Sequence, residues 1–192
     1  DDRDGLSHNR VTSILRDELG FMWFGTLSGL NRYDGTEIKV LKYNENDPFS
    51  LNNSNIIWIK EGPNKLIWIK TSYGVFAYNI FKEKFVDISD LLAELQVDNY
   101  NLKDIVKDRS GDFWFLVGNV GIQKYASQLG SLYKLPVDDS NITSIQIDHQ
   151  GNLSIIYLNG IVEVMNPETF GLEVRFEYPE YIRQNEGLTA MI

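Results

Sequence analysis

Four residues, His8, Arg10, Asn55 and Tyr73, carry the side chains best suited to holding a polar ligand. Arginine, histidine and asparagine can donate to or accept from sugar-type hydroxyls, and a tyrosine ring can stack on an apolar ring face. The same side chains also cap their own loops, so residue type alone leaves both uses open. Trp58 and Tyr100 are further aromatic candidates, for which packing in a core is the competing use. Catalysis finds less support. A glycosidase needs two carboxylates about 5–10 Å apart across a pocket, and no motif here implies such a pair. Arg10, Arg16, Arg32, Arg109, Arg175 and Arg183 are scattered rather than clustered for a carboxylated substrate. His8 and His149 are too far apart in sequence to suggest a metal site, and the expectation is no metal and no cofactor.

The elements that must position these residues are read from a repeat. Trp23 to Trp68, Gly29 to Gly74 and Tyr33 to Tyr78 each span 45 residues. A third copy carries Gly111, Trp114, Gly121 and Tyr125, with Trp68 and Trp114 separated by 46. A fourth runs from Asp148 through Gly151 and Gly160, with Ser154 in place of the tryptophan and Val164 in place of the tyrosine. A unit of about 40–47 residues with four short apolar runs and no 3.6-residue periodicity predicts the blade of a β-propeller. One such sheet cannot bury both faces, so blades must stack, with tryptophan and tyrosine rings as filling.

The fold class read from this pattern is all-β: blades of four antiparallel strands, about four of them in an incomplete propeller. The repeat units are approximately 5–43, 52–88, 100–135 and 141–178, and Leu188 to Ile192 matches the first strand of a further unit. In unit one, strands are expected at Val11–Leu15, Phe21–Thr26, Leu30–Tyr33 and Glu37–Leu41, with Asp34-Gly35 as a hairpin turn. Pro63-Asn64 supplies the corresponding turn of unit two where the others use glycine. Ser89 to Leu95 is the helix-like segment, with Ser89 or Asp90 as its N-cap. Stopping inside a repeat implies an open edge and a piece of a longer protein. In a propeller, loops entering the innermost strand share one end with loops between the second and third strands. That end would carry His8, Asn9, Arg10, Asn53, Asn55, Tyr73, Asn119, Asn141 and Asn159.

The chain has 18 Lys and Arg against 27 Asp and Glu, a net charge of −9, which argues against general binding of nucleic acid or an anionic membrane. It has no cysteine, which excludes a disulfide framework and a thiolate metal site but chooses no compartment. No run approaches 18 apolar residues, so any membrane tether is expected outside this segment.

The Asp17-x-x-Gly20-x-x-Trp23 and Asp108-x-x-Gly111-x-x-Trp114 elements resemble the Asp-box of sialidase-type propellers, a turn device in which aspartate accepts backbone N–H bonds. Over a longer stretch, Gly5-Leu6-Ser7-His8-Asn9-Arg10-Val11-Thr12-Ser13-Ile14, the Asp17 to Thr26 element, Gly29-Leu30-Asn31-Arg32-Tyr33-Asp34-Gly35 and the Asn46 to Ile56 connector resemble the two-component regulator propeller repeat. The resemblance covers roughly residues 5 to 192 and is degraded in unit four. It implies that the blades belong to a seven-bladed ring in the periplasmic sensor of a hybrid two-component histidine kinase that controls polysaccharide-utilisation genes. It further implies an oligosaccharide ligand and a homodimer formed through the sensor region. This segment itself would be no enzyme. The alternatives are a propeller enzyme, such as a glycosidase or lyase, and a protein–protein scaffold.

Overall fold

The structure is a computed structural model, and it describes residues 5–46, 50–51, 53–97, 101–135 and 141–177. The described residues fall into two compact units, 5–93 and 94–177. Each unit contains two four-stranded antiparallel sheets in simple meander order. In unit one these are β1 (Val11–Arg16), β2 (Met22–Thr26), β3 (Gly29–Tyr33) and β4 (Ile38–Leu41), then β5 (Ile56–Gly62), β6 (Leu66–Thr71), β7 (Gly74–Asn79) and β8 (Lys84–Val86). Unit two holds β9 (Leu102–Lys107), β10 (Phe113–Val117), β11 (Gly121–Ala126) and β12 (Ser131–Lys134), then β13 (Ile142–Ile147), β14 (Leu153–Tyr157), β15 (Ile161–Met165) and β16 (Leu172–Glu177). The fold is all-β, and each sheet is a four-stranded propeller blade. The strand expected at Leu188 to Ile192 lies outside the described residues, as does Tyr100.

Stacking of sheets follows from the alternation of side chains along strands. In unit one Trp23 and Leu30 of the first sheet meet Ile56, Ile59, Ile67, Ile69 and Tyr78 of the second, all buried. The Trp23 and Tyr78 rings meet edge-on with centroids 5.2 Å apart. Gly25 lets the sheets approach: a Cβ there would stand 2.7 Å from Ile56 Cγ2 and 3.2 Å from Thr12 Oγ1. Unit two repeats the seam with Trp114, Leu116 and Ile122 against Ile142, Ile145, Leu153 and Ile155. Basic side chains cross both seams. Arg32, paired with Trp23 on the neighbouring strand, reaches Glu83 at 3.0 Å, and Lys124, paired with Trp114, reaches the Pro167 carbonyl at 3.1 Å.

Several local details depart from the sequence reading. All four innermost pairings shift register near the start of their first strand, at Val11/Ser13, Ile56/Trp58, Leu102/Asp104 and Ile142/Ser144. These bulges put an extra residue into the strand, and three of those residues bond a backbone carbonyl. Thr12 Oγ1 donates to Ile56 O at 2.8 Å, Lys103 Nζ to Ile142 O at 3.3 Å and Thr143 Oγ1 to Ile156 O at 3.0 Å. Strand β4 starts at Ile38 rather than Glu37 because Asp34 Oδ1 accepts both the Thr36 and Glu37 N–H groups at 2.8 Å, drawing Glu37 into the turn. The helix α1 (Ser89–Glu94) forms as expected, but the acceptor at its start is Asp87, whose Oδ1 takes the Ser89 N–H at 2.8 Å. The Pro63–Lys65 turn is a single 3-10 turn with Asn64 at φ 60°.

Candidate functional site

In unit one the loops before β1 and β5 and the turns β2–β3 and β6–β7 lie at one end of the two stacked sheets. The register requires it, since Val11 pairs with Thr26, which pairs with Gly29, and Ile56 pairs with Thr71, which pairs with Gly74. The Thr12–Ile56 bond ties the two entry loops side by side. This end brings together the loops that carry His8, Arg10, Asn55 and Tyr73.

Each candidate is held by a local device. His8 Nδ1 accepts the Arg10 N–H at 2.9 Å, which assigns the ring proton to Nε2 and leaves the Arg10 side chain exposed. Asn55 is used twice: its N–H donates to Asn53 Oδ1 at 2.7 Å, and its Nδ2 donates to Ser72 Oγ at 3.0 Å. Tyr73 follows Ser72 directly and is 57% exposed. Asn55 and Tyr73 thus share one corner through Ser72, while His8 and Arg10 share the neighbouring loop.

The residues that fix these loops are threonines that sequence reasoning passed over. Thr26 Oγ1 donates to Gly29 O at 2.9 Å and accepts the Ser28 N–H at 3.1 Å. Thr71 does the same with Gly74 O at 3.2 Å and the Tyr73 N–H at 3.1 Å. With the Thr26 proton committed to Gly29, Ser7 must donate across to Thr26 Oγ1 over 2.8 Å, and the Ser7 N–H donates to Asn31 Oδ1 at 2.8 Å. Gly29 sits at φ +145°, where a Cβ would press on Leu41 O and Ser7 Oγ. The signal was present as Thr-x-x-Gly at 26–29 and again at 71–74.

Trp58 lies half-buried within β5. In unit two, Asn159 Oδ1 accepts the Ile161 N–H at 3.1 Å and Asn141 O accepts the Leu158 N–H at 2.7 Å. Asn159 closes its own turn, the Asn141 carbonyl ties the loop before β13 to the β14–β15 turn, and Asn119 is exposed at φ +65°.

The acidic turn elements are built differently from a ligand site. Asp17 Oδ1 accepts the Leu19 and Phe21 N–H groups, and its Oδ2 accepts the buried Trp23 indole N–H at 2.7 Å. Asp108 repeats this with Ser110, Asp112 and the Trp114 indole at 2.9 Å, and Lys124 Nζ stands 3.5 Å from the same carboxylate. Burial pushes the Asp108 carboxyl up, but the Trp114, Ser110 and Asp112 donors with the Lys124 charge outweigh it and hold it below the ordinary aspartate value. Asp148 shows the same balance, with burial outweighed by the Asn152 and Gln150 N–H donors. These carboxylates are consumed by structure. Among the described residues no group of three or more His, Cys, Asp or Glu could hold a metal ion. No helix there is long and apolar enough to cross a membrane.

Comparison with known proteins places this geometry. Residues 5–28 match the sequence model of the two component regulator propeller. Histidine kinase P4 of Formosa agariphila is 42% identical over 48 residues, which is 25% of this chain and 4% of that protein. The extracellular domain of a hybrid two component system of B. thetaiotaomicron superposes with TM-score 0.53 at 21% identity, over 90% of this chain and 31% of that one. Virginiamycin B lyase from Staphylococcus aureus, solved with quinupristin, superposes with TM-score 0.60 at 18% identity, over 91% of this chain and 58% of the lyase. The chain therefore spans under a third of that extracellular domain. At these identities the structural likenesses show the fold.

Proposed function

We propose that this chain, which carries the two component regulator propeller repeat, is part of the periplasmic sensor of a hybrid two-component regulator. In this reading its unit-one loop end takes an oligosaccharide whose presence controls polysaccharide-utilisation genes. The observation that carries the ligand class is the corner made by Asn55, Ser72 and Tyr73. It sets a fixed amide–hydroxyl pair beside an exposed aromatic ring. A sugar needs that combination, because one edge of the pyranose is hydroxyl-rich while the C–H face stacks on an aromatic. Arg10 and His8 Nε2 would add donors from the adjoining loop. Occupancy would bias a distant kinase by shifting the geometry of paired sensor regions.

The test is calorimetric titration of oligosaccharides varied in charge and linkage against the wild-type chain, Tyr73→Ala and Asn55→Ala. Binding by the wild type that falls at least about tenfold in each variant supports the reading. Binding unchanged in both variants, or absent across the panel, overturns the assignment to this corner. The lyase likeness favours a second reading, catalysis at the same loop end. There His8 would act through its Nε2–H as a general acid, because Nδ1 is taken by the Arg10 N–H. A His8→Asn variant that still binds sugar but shows no lost turnover removes that reading.

A further inference from the structure

Charge is not spread evenly over unit one. Asp17, Glu18, Asp34, Glu37, Glu61 and Glu83 lie in or beside the turns that join the first strand to the second and the third to the fourth. Because strands in each sheet alternate in direction, those turns form the end away from His8, Arg10, Asn55 and Tyr73. Glu45, Asp87 and Asp90 follow β4 and β8, the strands farthest from β1 and β5 in each sheet, and Asp87 is committed to the start of α1. The segments that meet at the candidate end, residues 7–12, 25–31, 41–43, 53–58 and 70–75, contain no carboxylate. Their charged side chains are Arg10, Lys42 and the half-buried Lys70. In a chain of net charge −9 this end is a basic island.

Two of these cations stand where a ligand at the Asn55–Ser72–Tyr73 corner would meet them. Leu41 pairs with Leu30, so the chain leaves β4 at Lys42 beside Gly29. A Cβ at Gly29 would stand 3.1 Å from Lys42 Cγ and 3.2 Å from Ser7 Oγ, so the glycine lets the Lys42 stem lie against the loop that carries His8 and Arg10. On its other side the Tyr43 N–H donates to Ser54 Oγ at 3.1 Å, which ties the same segment to the loop ending in Asn55. Lys42 is thereby placed between the His8–Arg10 loop and the corner that Asn55 shares with Ser72. Arg10 and Lys42 are both exposed, and among the described residues neither has an ion-pair partner. A guanidinium fork takes two oxygens of one oxyanion, and an ammonium adds a second point charge. A neutral sugar, with only hydroxyls to offer, would leave both charges unused.

Resting on the glycan reading of this end, we propose that the oligosaccharide it takes is anionic, carrying carboxylate or sulfate groups that pair with Arg10 and Lys42. Tyr73 stacks on a ring of the sugar, Asn55 and Ser72 hold its hydroxyls, and the two cations select for charge.

Calorimetric titration tests it with uronate oligosaccharides and sulfated galactan oligosaccharides, each beside its carboxyl-reduced or desulfated counterpart of the same length and linkage. The proteins are the wild-type chain, Arg10→Gln, Lys42→Gln and Tyr73→Ala. Circular dichroism confirms that each variant is folded; Arg10 and Lys42 are exposed, so the fold does not depend on their charges. The expected result is an anionic oligosaccharide bound at least about tenfold more tightly than its neutral counterpart. Each glutamine variant should lose about five- to tenfold in affinity for the anionic sugar and nothing for the neutral one. Preference for the carboxylated or for the sulfated probe supports the proposal either way and identifies which group the pair holds. A neutral counterpart bound as tightly as the anionic sugar, with binding lost in Tyr73→Ala, overturns the charge assignment and leaves the glycan reading standing. An anionic preference untouched by both glutamine variants overturns the assignment to Arg10 and Lys42. Absence of binding by every probe overturns the proposal together with the glycan reading.

Discussion

Replacing Asp108 by alanine isolates what the acidic turn element contributes. The side chain accepts two backbone N–H groups, the Ser110 hydroxyl and the Trp114 indole N–H, and the indole is fully buried. Alanine leaves that indole donor with no acceptor and no water, a cost of about 1–3 kcal/mol. The Ser110 and Asp112 amides sit at a turn where water can reach them, adding about 1 kcal/mol. Lys124 keeps Asp112 at 3.2 Å and Pro167 O at 3.1 Å, so it is not orphaned. The expected loss is about 2–4 kcal/mol. Asp148 offers an internal control within the same unit, because it accepts the Gln150 and Asn152 N–H groups while Ser154 stands where the indole would be. Asp148→Ala should therefore cost only about 1 kcal/mol. Urea unfolding followed by circular dichroism and tryptophan fluorescence measures both variants. Equal losses, or a larger loss in Asp148→Ala, would refute the claim that the buried indole sets the cost.

Acid should reveal the same groups. Asp108 and Asp148 have folded-state values below the ordinary one, so their stabilisation is present above the unfolded-state value, about 3.9, and is lost as pH falls through the folded one. The urea midpoint should hold from neutral pH down to about 5 and then decline, less steeply in Asp108→Asn. Gly25→Ala should cost about 1–3 kcal/mol by overpacking the seam against Ile56, read as a lower melting temperature with an unchanged circular dichroism spectrum. Glu83→Gln should lower the melting temperature only slightly and the difference should shrink in high salt, because Glu83 is half exposed while it holds Arg32 and Lys39.

What the sequence discloses here is the part of the fold that repeats. Trp23, Trp68 and Trp114 fall in one register with their glycines, and a strand–turn–strand reading follows from that spacing alone. Details set by a single side chain were hidden. The bulges at Thr12 and Lys103 leave no mark in an alternation pattern, because a threonine and a lysine do the same carbonyl-bonding job there. The Asp87 cap was missed because Ser89 and Asp90 are equally good cap residues, and only geometry chooses among the three. The aspartate of the turn element was legible as a backbone acceptor, whereas its second oxygen taking the indole needs the strand to turn the tryptophan back. At the loop end, residue types nominate His8, Arg10, Asn55 and Tyr73. The Ser72 hydroxyl that joins Asn55 to the Tyr73 loop has no pattern of its own.

The central claim is that the unit-one loop end recognises a glycan, and amide chemical-shift mapping tests it most directly. Isotope-labelled chain is titrated with each oligosaccharide of the panel. The account predicts saturable shifts concentrated at residues 8–10, 28, 53–55 and 72–73, with the Tyr73 amide among the largest. Saturable shifts centred elsewhere, or none with any sugar, would contradict it.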